Sequence, residues 1–299
     1  MNYRQLGSSP LQVSEIGFGC MSLGENQVEN ERLIKKAIDL GINFFDTADL
    51  YQKGNNEISL GKAVHAERNQ LVVATKVGNQ WKPDGNGWQW NPGKEYILDA
   101  VNRSLERLQT DYIDLYQLHG GTIEDPIDDI IETFEKLKQQ GKIRFYGISS
   151  IRPNVIREYV KRSGIVSVMM QYSLLDRRPE EESLSLLLDN KIGVLARGSL
   201  CKGLLVNKPA TSYLNYNEDQ VSQAVKYVQN LSAESRTAAQ TALRFVLHHP
   251  AISSAVVGIS SISQLEDAAA TSTTPFLTEN ELRTLRQTVA VNYYNEHRG

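Results

Sequence analysis

Four side chains, Asp46, Tyr51, Lys76 and His119, are of the types and spacing that can move a proton to a carbonyl oxygen. They lie in Asn43-Phe-Phe-Asp46-Thr-Ala-Asp-Leu-Tyr51, Val72-Val-Ala-Thr-Lys76 and Ile113-Asp-Leu-Tyr-Gln-Leu-His119, at or just beyond the carboxyl ends of expected strands. A free phenol has a pKa of about 10, so a tyrosine gives up its proton near neutral pH only where a neighbour favours the phenolate. An ammonium does that. A buried ammonium needs a carboxylate in turn, or it loses its own proton. A phenol, an amine, a carboxylate and an imidazole on one rim are therefore a set for general acid chemistry.

Placing these groups together requires a fold that brings strand ends to one rim. Apolar runs rich in β-branched residues predict eight short strands, beginning near Ser14, Ile42, Gln70, Asp111, Lys142, Ile165, Lys191 and Ser253. Helix-period segments alternate with them: Glu29 to Leu40, Glu57 to Val64, Lys94 to Leu108, Ile127 to Lys138, Pro153 to Lys161 and Pro179 to Leu188. Near the end, Ala233 to His248 and Thr278 to Tyr293 read as two further helices. The strands are too apolar for a one-sided sheet, which predicts a single (β/α)₈ barrel domain over residues 1–299 rather than an open doubly wound sheet. Polar residues at the strand ends, Asp46, Lys76, His119, Ser149, Ser150, Gln171 and Arg197, agree with an active rim. Tyr3 to Val13, with its Gly7-Ser8-Ser9-Pro10 turn, predicts a hairpin that closes the other end. Two long connections, Val77 to Pro92 with Trp81, Trp88 and Trp90, and Ser199 to Asn217, should hang over the site.

Composition excludes other classes. The chain has 299 residues, 40% apolar and 22% charged, with a formal net charge of -3, so no bulk attraction to nucleic acid or an anionic membrane is implied. Two cysteines, Cys20 and Cys201, are too few for a disulfide framework, and the amino terminus lacks the apolar core of a signal peptide. A soluble cytoplasmic protein is the expectation. Adjacent His248 and His249 have no ligand-spaced partner, so no metal site is expected. Ser199 and Ser260 lack a nucleophile-elbow context.

Taken singly, each of the four residues has a plainer role: packing for Tyr51, solvation for Lys76, capping for His119 and a turn for Asp46. Together, the segment Phe45-Asp46-Thr47-Ala48-Asp49-Leu50-Tyr51, followed by Gly54, Asn55, Asn56, Glu57 and Leu60-Gly61, resembles the long signature of the aldo-keto reductase family. Matching residues run from the Gly17-Phe18-Gly19 turn to Gly258. The resemblance implies a cytoplasmic NADPH-dependent reductase of small aldehydes or ketones in which Tyr51 gives the proton. Lys76 would ease its release, Asp46 would hold the lysine, and His119 would orient the carbonyl.

By the same resemblance the cofactor would meet Gly19, Cys20 and Met21 after the first strand, and Ser149, Ser150 and Gln171 at the carboxamide. Arg197-Gly198-Ser199-Leu200, with Lys202, Gly203 and Lys208, would cross the pyrophosphate, and Gly258, Ser260, Gln264 and Asp267 would surround the adenosine, ending at a helix amino terminus suited to anions. Met21, Tyr51, Trp81, Trp88, Trp90, His119 and Tyr172 would wall the substrate. The cofactor segment around Gly258 is nearer in form to the potassium-channel β subunits of the same superfamily, which opens a regulatory or redox-sensor module as the alternative. A Schiff-base isomerase or aldolase built on Lys76 would need a lysine without a counter-ion, and Asp46 opposes it.

The chain departs from the family pattern in places. The usual basic residue is absent around Ser260 and Gln264, and Ala268 replaces an asparagine, leaving Lys202 or Lys208 for a 2′-phosphate and NADH as a possible cofactor. Arg197 stands where many members place an aromatic ring against the nicotinamide. A guanidinium can stack there, but it repels the cationic oxidised ring. We therefore expect NADPH to bind about fivefold more tightly than NADP⁺, a Coulomb penalty cut by solvent to about 1 kcal/mol. Dissociation constants for wild type and Arg197→Tyr check this: the ratio should shrink in the variant, and equal wild-type affinities would contradict it.

Overall fold

The computed structural model describes residues 1–232 and 235–298. Eight parallel strands close into a barrel: β1 (Ile16–Gly19), β2 (Phe44–Asp46), β3 (Val72–Val77), β4 (Ile113–Leu118), β5 (Ile143–Ser149), β6 (Ser167–Gln171), β7 (Gly193–Arg197) and β8 (Ile252–Gly258). Each follows its sequence neighbour round the ring, and β8 pairs with β1 through Gly258 and Gly19. All eight begin within two residues of the expected positions.

Strand alternation explains the rim. Phe44, Val72, Ala74, Leu115, Met169, Leu195 and Val256 form one buried cluster inside the barrel. Phe45, Val73, Tyr116, Ile148 and Val194 belong to the layer between strands and helices. Because successive side chains alternate faces, counting two residues onward from the inward set gives Asp46, Lys76, Gln117, Gln171 and Arg197. His119 follows Gln117 at the same interval.

At the opposite end, Tyr3–Gln5 and Gln12–Ser14 form the antiparallel hairpin, and Leu6, Leu11 and Val13 join the inner cluster as a plug. Gly7 is required in this turn, since its φ is +56° and a Cβ there would lie 2.2 Å from the carbonyl oxygen of Val166.

Helices α1 (Gln27–Asp39), α2 (Asn55–Val64), α3 (Lys94–Leu108), α4 (Ile127–Gln139), α5 (Pro153–Arg162) and α6 (Ser183–Asp189) lie between the strands. The helix expected from Pro179 is split: Arg178–Glu181 is a single 3₁₀ turn, and α6 begins at Ser183. Ion pairs from Asp176 to Arg178 and from Arg177 to Glu180 fold this stretch on itself. Helix α7 (Glu218–Leu231) is additional to the sequence expectation, although its Asn217/Gln220 capping box is a legible start signal. The next helix was expected from Ala233, which lies outside the described residues; α8 runs Ala238–His248 behind a Thr237/Gln240 box.

After α9 (Ile262–Ala270), the last helix, α10, spans only Glu279–Gln287 and stops short of the expected Tyr293. The Thr288 hydroxyl donates to the Leu285 carbonyl, and Asn292 is drawn off to the Arg177 N–H and the Leu175 carbonyl. The chain then crosses the active rim.

Gly61 shows how tightly α2 is seated on α3. A Cβ at this position would lie 2.6 Å from the backbone carbonyl of Leu108, and backbone cannot move aside as a flexible side chain does. Gly61→Ala should therefore destabilise the protein by about 1–3 kcal/mol through overpacking, despite alanine's better helix propensity. Urea unfolding checks this, and a variant as stable as wild type would show that the two helices can part freely.

Candidate active site

Tyr51 opens a short 3₁₀ turn, Tyr51–Gly54, directly after β2. Two non-glycine residues of that turn, Gln52 and Lys53, have φ of 50° and 56°, and Gly54 has φ 90°. A left-handed conformation is costly for an L residue and persists where the surroundings fix it. Here the Gln52 amide donates to the Leu23 carbonyl at 2.8 Å, and the Asn56 amide donates to the Cys20 carbonyl at 2.8 Å. Thr47 donates to Asn56 at 2.7 Å. The signature residues around Asp46 and Tyr51 thus serve as scaffold that aims the tyrosine.

Beneath Tyr51, the Lys76 ammonium donates to Asp46 Oδ2 at 2.7 Å and to the Thr47 carbonyl at 2.7 Å. Gln117 Nε2 donates to the other Asp46 oxygen at 3.2 Å. Both charged residues are buried. Burial works to lower the Lys76 pKa and is the largest single effect, yet Asp46, then Tyr51, outweigh it and the net shift is upward. Burial lifts Asp46 above its ordinary value while Lys76 and Gln117 hold it back. The lysine stays protonated and the pair acts as one unit.

Lys76 Nζ lies 5.1 Å from the centre of the Tyr51 ring, and the His119 ring meets Tyr51 edge-on at 5.9 Å. Burial, aided by the charges of Lys76 and Arg197, pushes His119 down to about 3. It is a neutral imidazole at working pH, able to donate one hydrogen bond but not to act as the acid. Its buried Nδ1 has no partner among the described residues.

A cavity of 690 Å³ opens beside His119, lined by Ser149, Ser150, Arg152, Arg178, Arg197, Trp88, Trp90 and the carboxyl-terminal stretch from Tyr293 to His297. The Trp loop is itself an antiparallel hairpin, Asn79–Trp81 with Trp88–Trp90. Trp90 is tied to Asp125 at 2.9 Å. Trp81 turns away from this cavity: its Nε1 donates to the Leu50 carbonyl, and it lines a separate hollow with Gly24, Lys53 and Lys62. Tyr172 is buried elsewhere, donating to Glu180 and packed near Phe245 and His249. Met21 is exposed outside the cavity.

The segments assigned to a nicotinamide cofactor follow one arc of the rim. Gly19 and Gly258 are paired across β1 and β8, with the Ser22 hydroxyl 2.4 Å from where a Gly258 Cβ would be. Cys20 is buried and its thiol is pushed up by that burial, which leaves it unreactive. Gly198 and Gly203 take φ of 72° and 92°, Leu200 is half-buried, and Lys202 and Lys208 are exposed. Ser199 Oγ is buried without a partner among the described residues, as a hydroxyl reserved for a ligand would be. Ser260 donates through its N–H and hydroxyl to Gln264 Oε1, each at 3.0 Å, ahead of α9. Asp267 instead accepts from Thr237 and Gln240, so its carboxylate is committed to the scaffold. The donors and glycine cradles fit a dinucleotide.

Sequence reasoning missed Gln117, Arg152, the stretch from Tyr293 to His297, and Asp49. Gln117 was legible as a polar residue in an apolar strand; the others needed tertiary contacts. Among the described residues, no cluster of three metal-ligating side chains occurs, and no helix is long and apolar enough to cross a membrane.

Residues 15–290 match the model of the Aldo/keto reductase family. The chain is 48% identical over 307 aligned residues, spanning all of both proteins, to "Uncharacterized oxidoreductase YqkF" of Bacillus subtilis. It is 33% identical over 229 residues, 70% of each protein, to the NADH-specific methylglyoxal reductase of Escherichia coli. Among solved structures it superposes on the holo form of aldo-keto reductase AKR11C1 from Bacillus halodurans with a TM-score of 0.94 and 48% identity, covering 100% of both chains. The apo form of that protein gives 0.86.

A second buried carboxylate lies under the site. Asp49 accepts from the Tyr96 hydroxyl at 3.0 Å, while its neighbour Glu57 is occupied by Arg107 and Thr75. Burial, then the Glu57 charge, raises Asp49 to about 7. The folded protein therefore holds a proton that the unfolded chain releases near pH 4, so stability falls as pH rises from about 4 to 7 and levels off above. Asp49→Asn should remove that fall, which is at most about 4 kcal/mol for a shift of this size. Urea unfolding between about pH 4.5 and 8.5 measures it. Parallel curves for the two proteins would show that Asp49 does not titrate in this range.

Proposed function

The chain belongs to the aldo/keto reductase family and is a nicotinamide-dependent oxidoreductase; on that premise, we propose that it reduces aldehydes or ketones to alcohols, with Tyr51 as proton donor and NADPH as its cofactor. The observation that carries this reading is the buried Asp46–Lys76 pair at 2.7 Å beneath the Tyr51 ring, with a neutral histidine edge-on to it.

A bound reduced nicotinamide supplies the hydride. Ser149, Ser150 and Gln171 would hold its carboxamide end, Gly198, Ser199 and Gly203 its pyrophosphate, and Gly258, Ser260 and Gln264 its adenosine. Lys202 and Lys208 would meet a 2′-phosphate, which favours NADPH. The Escherichia coli relative is named as NADH-specific, so NADH is the cofactor to test against it.

The residues divide the remaining work. Neutral His119 donates a hydrogen bond to the substrate carbonyl oxygen, drawing electron density from the carbon and fixing the carbonyl near Tyr51. The Tyr51 hydroxyl passes its proton to that oxygen. The phenolate left behind is stabilised by the Lys76 ammonium, which Asp46 keeps charged and the Thr47 carbonyl keeps oriented, while Gln117 holds Asp46. Trp88, Trp90 and the carboxyl-terminal stretch wall the approach.

Tyr51→Phe should lower kcat for aldehyde reduction at least about a hundredfold, since a positioned general acid contributes roughly 10²–10⁴-fold, while the NADPH dissociation constant stays within a few-fold of wild type. Steady-state cofactor oxidation with an aldehyde panel, paired with fluorescence titration of NADPH, checks both. Activity near that of wild type would remove Tyr51 from the proton transfer.

A further inference from the structure

Resting on the carbonyl-reductase reading, we propose that the hairpin of Asn79–Trp81 and Trp88–Trp90 sets the separation of Tyr51 and His119, with Trp81 and Asn79 as the positioning residues. The Tyr51 and His119 rings meet at 5.9 Å, yet they stand on segments that follow different strands, β2 and β4. Pairing of β2 with β3 stops at Asp46, before Tyr51 is reached, and pairing of β3 with β4 stops at Leu118, before His119. The barrel ladder alone therefore does not fix the distance between the two groups that meet the carbonyl.

The hairpin holds both segments by their main-chain carbonyls. Trp81 Nε1 donates at 3.0 Å to the carbonyl of Leu50, the residue before Tyr51 and the amino-terminal cap of its 3₁₀ turn. The Lys53 ammonium lies 5.1 Å from the centre of the Trp81 ring and donates to the Gly85 carbonyl at 3.4 Å. The left-handed pair Gln52 and Lys53 is thus held from two sides, by the Leu23 carbonyl and by the hairpin. On the other segment, Asn79 Nδ2 donates to the His119 carbonyl at 3.0 Å, while the His119 N–H donates to the Val77 carbonyl at 2.7 Å.

Both ties leave one face of one strand. Asn79 and Trp81 flank Gln80, so their side chains project to the same side, and two extended residues span about 7 Å. That length is comparable to the separation of the two rings. The facing strand is seated as firmly: a Cβ at Gly78 would lie 2.6 Å from the Trp90 ring and one at Gly120 3.3 Å from it, and Trp90 Nε1 donates to Asp125 at 2.9 Å. Asp125 also accepts from the Thr122 N–H at 2.6 Å, which binds the loop after His119 to the same hairpin. A hairpin that only covered the site would not need two polar groups aimed at the backbones of the segments that carry Tyr51 and His119.

The test uses the intact protein with saturating NADPH and 4-nitrobenzaldehyde. Trp81→Phe keeps a ring beneath Lys53 and removes the indole N–H; Asn79→Ala removes the amide. Each should lower kcat about tenfold, because a misplacement of about 1 Å costs up to roughly a hundredfold. The NADPH dissociation constant should stay within a few-fold of wild type in both, and KM likewise in Trp81→Phe, whose side chain lies outside the cavity that Asn79 lines. The solvent deuterium isotope effect on kcat should rise in Trp81→Phe, which a loss of packing alone would not cause. Since both contacts set one separation, the double variant should lose far less than the product of the two single losses. Wild-type kcat in Trp81→Phe would overturn the proposal, as would a raised KM at unchanged kcat, which would make Trp81 a substrate contact, or losses that multiply. Should one variant fail to fold, kcat and the NADPH dissociation constant of the other decide. A wild-type protein that binds NADPH but reduces neither this probe nor a wider aldehyde panel would bring down the carbonyl-reductase reading, and this proposal with it.

Discussion

The site depends on one ion pair placed where water does not reach. Asp46 and Lys76 are 4% and 1% exposed. Moving two such charges out of water costs several kcal/mol each, and only close contact with further hydrogen bonds offsets it. Those bonds are present: Lys76 reaches both Asp46 and the Thr47 carbonyl, and Gln117 takes the remaining carboxylate oxygen. The three side chains come from consecutive strands whose registers align Asp46 with Ala74 and Lys76 with Gln117. A slip of one residue in any strand would turn its polar group outward into the helix layer and leave a partner's charge buried alone. Barrel closure and site formation are therefore the same requirement.

That coupling explains what was legible in the sequence. Strands that end an apolar run with a single polar residue advertise both their inward face and their direction, so the barrel and the places of Asp46, Lys76 and His119 could be read from pattern. Tyr51 was legible from its distance to Asp46. The reading failed where local pattern is overruled by distant contacts. Trp81 and Tyr172 stand near the expected rim in sequence, but Leu50 holds one and Glu180 the other, and neither faces the cavity beside His119. The last helix ends early because Asn292 and Tyr294 find partners near β6, a contact separated by more than a hundred residues of chain.

Two buried acids beside the same catalytic loop show how neighbours set the role. Asp46 has a cation in contact and can remain charged beneath Tyr51. Asp49, three residues on, accepts from the Tyr96 hydroxyl but has no cation in contact among the described residues, because Arg107 is taken by Glu57. The types are identical and the spacing is short, yet one carboxylate anchors the lysine beneath Tyr51 and the other favours its neutral form. Sequence shows the two aspartates alike; the helix packed behind them distinguishes them.

The charge balance of the floor bears on selectivity. Asp46 and Lys76 cancel, and His119 is neutral, so the floor carries no net charge of its own. The uncancelled charge lies at the rim, where Arg152 and Arg197 stand without carboxylate partners among the described residues. The inward residues are held by the barrel register, whereas Arg152 and Arg197 sit on a connection and a strand end outside the buried Asp46–Lys76 pair. The family resemblance reaches the inward residues of the floor, and the choice of substrate is a separate question that the rim has to answer.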